Sequence, residues 1–108
     1  METILKSRKG ECFLCGKYGP TEVHHIFYGS GRRKISDREG LIVYLCSECH
    51  RGTKGVHGRD GGQLGDRLKR IAQEAWEKRF IQLEYPYRLH AEDAAREAFI
   101  RMMGRNYL

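Results

Sequence analysis

His24 and His25 stand side by side between two cysteine pairs, Cys12-x-x-Cys15 and Cys46-x-x-Cys49; the second pair runs directly into His50, and His57 follows seven residues later. Two Cys-x-x-Cys knuckles can supply four thiolates to one tetrahedral zinc, and a zinc closed by four thiolates keeps no position open for a substrate. Zinc held by Cys12, Cys15, Cys46 and Cys49 is therefore expected to be structural. Reactive chemistry is expected of the histidines that the knuckles draw together. Imidazole suits it in two ways: neutral, it is a ligand for divalent ions, and with a reference pKa of about 6.5 it can take a proton from water near neutral pH. Adjacent residues on a strand point to opposite faces, so His24 and His25 are expected to divide these roles rather than share one ligand. The blander readings are a strand histidine satisfied by a backbone carbonyl, a second that merely covers the zinc, a helix-start role for His50, a loop position for His57, and free thiols for the cysteines.

Charge placement suits a polyanionic partner. The 108 residues carry 20 Lys and Arg against 14 Asp and Glu, a formal charge of +6. The excess gathers at Lys6 to Lys9 with Lys17, at Arg32-Arg33-Lys34 with Arg38, and at Arg51, Lys54 and Arg59 around the histidines. The C-terminal half mixes both signs, as a solvated helix face does. Arg32, Arg33, Lys34 and Lys54 are the candidate contacts to a DNA backbone, contacts that give affinity without sequence information. The longest apolar run, Leu41 to Cys46, is too short to cross a bilayer, and residues 1–10 hold no apolar stretch of the secretory kind. No membrane partner is expected. A cytoplasmic location is, and in a reducing compartment paired cysteines are more often zinc ligands than disulfides.

A chain of 108 residues implies one domain, small enough for a metal staple to matter. Residues 1–62 hold most of the glycines and are expected to form a zinc-knuckle core. In it, residues 22–28 (EVHHIFY) read as a strand, residues 29–40 as a basic, glycine-flanked loop, and residues 41–45 as a second strand pairing with the first. Cys46 to Arg51 then turns into a short helix, and the glycines at 52, 55, 58, 61 and 62 forbid a long one. Over residues 63–108 the apolar period changes to that of a helix. One helix of about five turns runs from Leu64 and is ended by Pro86; a second carries Ala91, Ala95, Phe99 and Met102 on one face, with Gly104 as its stop. Trp76, Phe80, Phe99 and Met102 are expected in the core rather than as base-stacking platforms, and His90 at the surface. The fold class is expected to be α+β.

Cys-x-x-Cys-Gly, then His-His-Ile, then Gly-Leu-x-x-x-Leu-Cys-x-x-Cys-His resembles the HNH endonucleases of the ββα-metal superfamily. More narrowly, His24 to Gly29, Arg33-Lys34, Gly40-Leu41, Leu45-Cys46, Cys49-His50, Val56-His57 and the closing Gly104-Arg105-Asn106-Tyr107-Leu108 resemble small HNH-type proteins of phages and prophages. Nearly the whole chain is covered. The resemblance implies a zinc-stapled ββα-metal module followed by two packing helices. It also implies DNA as partner, a bacterial host or phage-infected cell, and metal-dependent hydrolysis of DNA phosphodiester bonds in phage or prophage DNA processing. By residue it implies His25 as the general base. His24, His50 and His57 become ligands of a catalytic divalent ion, whether magnesium, manganese, nickel or zinc. The motif's middle asparagine, which braces the loop bearing the base, falls here on Gly40 or Leu41; Ser36 and Asp37 are the polar residues placed to substitute for it.

Phosphodiester hydrolysis is slow because an anionic centre repels the nucleophile and the departing alkoxide is poor, and a cation at the phosphate relieves both. The competing expectation is a zinc-stapled DNA-binding module without catalysis, which would need no second metal. A metal-binding interaction protein with no nucleic-acid role fits the charge placement less well.

Overall fold

The computed structural model describes residues 2–86 and 88–108. Among them two strands and four helices follow in the order β1 (Glu22–His25), α1 (Arg32–Glu39), β2 (Ile42–Leu45), α2 (Ser47–Arg51), α3 (Gly62–Glu84) and α4 (Ala91–Met103). The fold is α+β. No helix is long and apolar enough to cross a membrane among the described residues.

β1 and β2 pair antiparallel, with Glu22 opposite Leu45 and His25 opposite Ile42. The other edge of β2 is covered from the N-terminal side, which removes the unpaired backbone groups a two-stranded sheet would otherwise expose. Thr3 Oγ1 donates to the Ile42 carbonyl at 2.6 Å, Ser7 Oγ accepts from the Tyr44 N–H at 2.9 Å, and the Phe13 N–H of the first knuckle bonds to the Tyr44 carbonyl at 2.9 Å. The first knuckle is thus tied to β2, whose next residue is Cys46.

Two local expectations differ from the fold. β1 ends at His25 instead of running on to Tyr28, because the backbone of Phe27 turns away from β2 toward α1. The Phe27 backbone bonds instead to one side chain: its N–H donates to Ser36 Oγ at 3.0 Å, and Ser36 Oγ donates to its carbonyl at 2.7 Å. Ser36 belongs to the second difference, for residues 29–40, expected as a loop, contain α1. Ile35 is its one large apolar residue, so no periodicity marks it. It is set by its ends and its contacts: Gly40 caps it in the left-handed conformation at φ 72°, and Glu39 Oε1 accepts from Trp76 Nε1 of α3 at 2.9 Å.

α3 buries Leu68, Ala72 and Trp76, and α4 buries Ala91, Ala95, Phe99 and Met103, each at a spacing of four that forms one apolar stripe. Gly104, left-handed at φ 86°, stops α4 as expected. Trp76, Phe80, Phe99 and Met102 all belong to the core or pack against it. Phe27 sits against Phe99 and Tyr107, with ring centres 5.8 and 5.0 Å away, so the residue two beyond His25 is anchored by α4 and the C-terminal segment. Burying a ring of this size contributes about 1.5–3 kcal/mol. Buried Gln73 holds that segment in place, accepting from the Tyr107 N–H at 2.7 Å while donating to Asn106 Oδ1 at 2.8 Å and to Glu77 Oε2 at 2.6 Å.

Candidate metal centre

Four thiols converge where the two knuckles meet: one ligand atom from each of Cys12, Cys15, Cys46 and Cys49 lies within 4.8 Å of the others. Cys15 Sγ and Cys46 Sγ are 3.8 Å apart, far beyond a disulfide and close to the edge, about 3.8 Å, of a tetrahedron with zinc–sulfur bonds of about 2.3 Å. Burial opposes ionisation of Cys12, but hydrogen bonds from the backbone at Cys15, Cys46 and Leu14 outweigh it and bring the thiol down to about 6. Burial, then its sulfur neighbours, push Cys49 well up. A cation is what lets such a cluster ionise together, and the donor set suits a structural metal such as zinc.

A second cluster forms beside it from His24, His50 and His57, again with ligand atoms within 4.8 Å of one another. Ring centres are 5.3 Å apart for His24 and His50, 5.0 Å for His24 and His57, and 4.8 Å for His50 and His57. His24 comes from β1 and His50 from α2, directly after a cysteine of the first cluster. His57 arrives by a route its spacing concealed. Glycines at 52, 55, 58 and 61 link successive tight turns, with Gly55 N–H to the Gly52 carbonyl and Gly58 N–H to the Gly55 carbonyl both at 2.8 Å. These turns stack, so bonds also run seven residues back: the Val56 N–H reaches the Cys49 carbonyl at 2.8 Å and the His57 N–H the His50 carbonyl at 3.0 Å. Only glycine permits that stacking. A Cβ at Gly55 would stand 2.5 Å from the Glu48 carbonyl oxygen, and Gly58 and Gly61 are closed in still more tightly by the carbonyls of Gly52 and Gly55.

The histidine cluster fits a divalent ion on three observations. His24 Nδ1 is buried without a hydrogen-bond partner, the sole such side-chain atom among the described residues, and an orphaned buried acceptor costs about 1–3 kcal/mol. Burial first, then His57 and His50, hold its ring neutral, with a pKa lowered to about 3; burial and His50 lower His57 in the same direction. The third is the support of His50: its Nδ1 lies 2.8 Å from Glu22 Oε1, which fixes the ring and leaves Nε2 for an ion, as carboxylates do behind metal-binding histidines. Glu22 also accepts from Arg51 at 2.6 Å. Its hydrogen bond to His50, then that to Arg51, hold its carboxyl below the ordinary value. Three nitrogen ligands leave further positions open to a substrate, unlike four thiolates.

His25 stands outside the triad, on the other face of β1. Its Nε2 is 3.2 Å from Asp37 Oδ1 of α1. With Nε2–H donating to that carboxylate, Nδ1 is the ring nitrogen left to accept a proton. Two neighbours on α1 hold this stretch: Ser36 ties down the backbone of Phe27 after His25, and Asp37 holds the His25 ring.

The candidate DNA contacts are dispersed. Arg33 and Lys34 are exposed on α1 and Lys54 on the glycine turns, whereas Arg32 is half-buried at the start of α1. His90 is exposed ahead of α4, 3.8 Å from Asp93 and outside both clusters. A cleft of about 1190 Å³ between the N-terminal segment, α1 and α3 meets the site only through Asp37. Sequence reasoning missed Glu22, Tyr28 and Lys69. The ring of Tyr28 lies 5.2 Å from that of His57, with Lys69 Nζ 5.5 Å above it. Nothing in the spacing signals Glu22, whose bond to His50 spans 28 residues.

No family model, no curated protein and no solved structure matches this chain.

Proposed function

We propose that the chain is an HNH-type, metal-dependent endonuclease that hydrolyses DNA phosphodiester bonds, with a role in phage or prophage DNA processing. The observation that carries this reading is the convergence of His24, His50 and His57 around the orphaned Nδ1 of His24, with His25 next along the strand on its own carboxylate. In this reading zinc closes the four thiols, and β1, β2 and α2 are the ββα-metal module, with α1 inserted between its strands.

A divalent ion held by His24, His50 and His57 would supply positive charge beside the scissile phosphate and the departing oxygen. Imidazole ligands favour nickel or zinc over magnesium, which prefers oxygen. His25 takes a proton from the attacking water at Nδ1, and the Asp37 carboxylate steadies the imidazolium that results. Glu22 keeps the His50 ring turned toward the ion. Arg33, Lys34 and Lys54 hold flanking phosphates, and the register they impose carries no base preference.

The test is relaxation of supercoiled plasmid by the zinc-loaded protein with magnesium, manganese, nickel or zinc added, and with chelator. Nicking that depends on an added ion is the expected result. Binding without cutting under every ion would instead support the non-catalytic DNA-binding module.

A further inference from the structure

Lys69 projects from α3 toward the histidine cluster without a carboxylate to hold it. Among the described residues it makes no ion pair, whereas Arg8, Arg38, Arg51, Arg59 and Arg96 each do. Its ammonium is instead placed by two rings, 5.5 Å from the centre of Tyr28 and 5.8 Å from that of Tyr107. Tyr107 is itself fixed by Gln73 and by the Phe27 ring. Tyr28 connects the ammonium to the metal ligands, its ring 5.2 Å from His57 and 6.2 Å from His24. The charge of Lys69 is felt at His24, where it adds to the effects that keep that ring neutral.

A half-buried ammonium held by aromatic faces retains all three donors, and cation–π contact orients it without neutralising it. Beside a cation with open coordination positions, the group that satisfies both charges is a small multivalent oxyanion, one oxygen on the ion and another on the ammonium. We propose that Lys69 is the phosphate-binding residue of the histidine centre, taking a non-bridging oxygen of a phosphate whose other oxygen faces the ion held by His24, His50 and His57. This rests on the metal-centre reading and adds to it the anion's second anchor, which comes from α3 and not from the basic α1.

Cobalt in the histidine centre, with zinc left in the cysteines, gives visible absorption that changes when an oxyanion enters its coordination sphere. Inorganic phosphate is titrated into the parent, Lys69→Met and Lys69→Arg. Met keeps the aliphatic stem over the two rings and Arg keeps the charge, and circular dichroism checks that each variant is folded. The half-saturating phosphate concentration should rise about tenfold in Lys69→Met, the order expected for one lost charge-assisted hydrogen bond. It should stay within about threefold in Lys69→Arg, with cobalt affinity equal in all three. Equal phosphate binding by parent and Lys69→Met, or no phosphate-dependent change in the parent, overturns the proposal. Absence of any cobalt band overturns the metal centre itself. Lysine-dependent phosphate binding by a protein that nicks no plasmid upholds the phosphate site and removes only the nuclease reading.

Discussion

Acid should weaken this fold through His24. His24 is 2% exposed and its ring is held neutral down to about 3, while the same residue in the unfolded chain takes up a proton near its ordinary value of 6.5. Between those values the unfolded chain binds a proton that the folded chain refuses, so stability is full above pH 6.5 and falls as pH falls below it. The loss approaches about 1.4 kcal/mol per pH unit, which makes the folded state about 1.4 kcal/mol less stable at pH 5.5 than at pH 7.5 from this residue alone. His57, lowered in the same direction by burial and His50, adds to it. Urea denaturation of the zinc-loaded protein without added divalent ion, at both pH values, measures the loss, and His24→Leu serves as the reference because the other titrating groups are common to both proteins. The parent should lose about 1–1.5 kcal/mol more than the variant over this interval. Equal losses in parent and His24→Leu would show that burial does not hold this ring neutral, and the orphaned Nδ1 would lose its meaning as a metal ligand.

Cys12→Ser should lose bound zinc and cooperative melting together, since a structural zinc contributes on the order of 10–16 kcal/mol of apparent binding energy; loss of zinc with melting at the parent temperature would contradict the staple. Gly58→Ala places a methyl against the carbonyls of Gly52 and Thr53. It should weaken divalent-ion binding at the histidines by about 10–100-fold, measured by calorimetry, with the cysteine zinc retained; unchanged affinity would mean that the stacked turns do not place His57. Arg33→Ala with Lys34→Ala should reduce the slope of log DNA affinity against log salt by about two, close to one per phosphate contact, and an unchanged slope would remove these side chains from the interface.

The members of the two clusters were legible because their types and spacing are local facts. Cys12-x-x-Cys15 and Cys46-x-x-Cys49 announce one cluster, and His24 with His50 follow from lying inside and directly after the knuckles. The helical stripes through Leu68, Ala72 and Trp76, and through Ala91, Ala95 and Phe99, were legible from their period, but the face was expected to continue to Met102, whereas Met103 is the buried residue and Met102 packs at the edge of the core. α1 was not, because a short helix with Ile35 as its one large apolar residue leaves no periodic trace and depends on Ser36 meeting the Phe27 backbone and Glu39 meeting Trp76, 37 residues away. His57 was selected by type, yet its seven-residue separation from His50 resembled no helical spacing. The stacked glycine turns supply the geometry. Glu22 and Lys69 were hidden for the opposite reason: common charged residues carry no signal until the fold sets one against His50 and the other over Tyr28.

The most direct measurement is plasmid nicking by parent, His25→Ala and His50→Ala across a range of added nickel or manganese. The parent should cut; His25→Ala should cut about 10²–10⁴-fold more slowly at every ion concentration, the usual worth of a positioned general base, with divalent-ion affinity unchanged. His50→Ala should recover activity only at much higher ion concentrations, because it lacks a ligand and not the base. A parent that cuts no DNA with any divalent ion, or a His25→Ala variant that cuts at the parent rate, would contradict the division of labour between the three clustered histidines and His25.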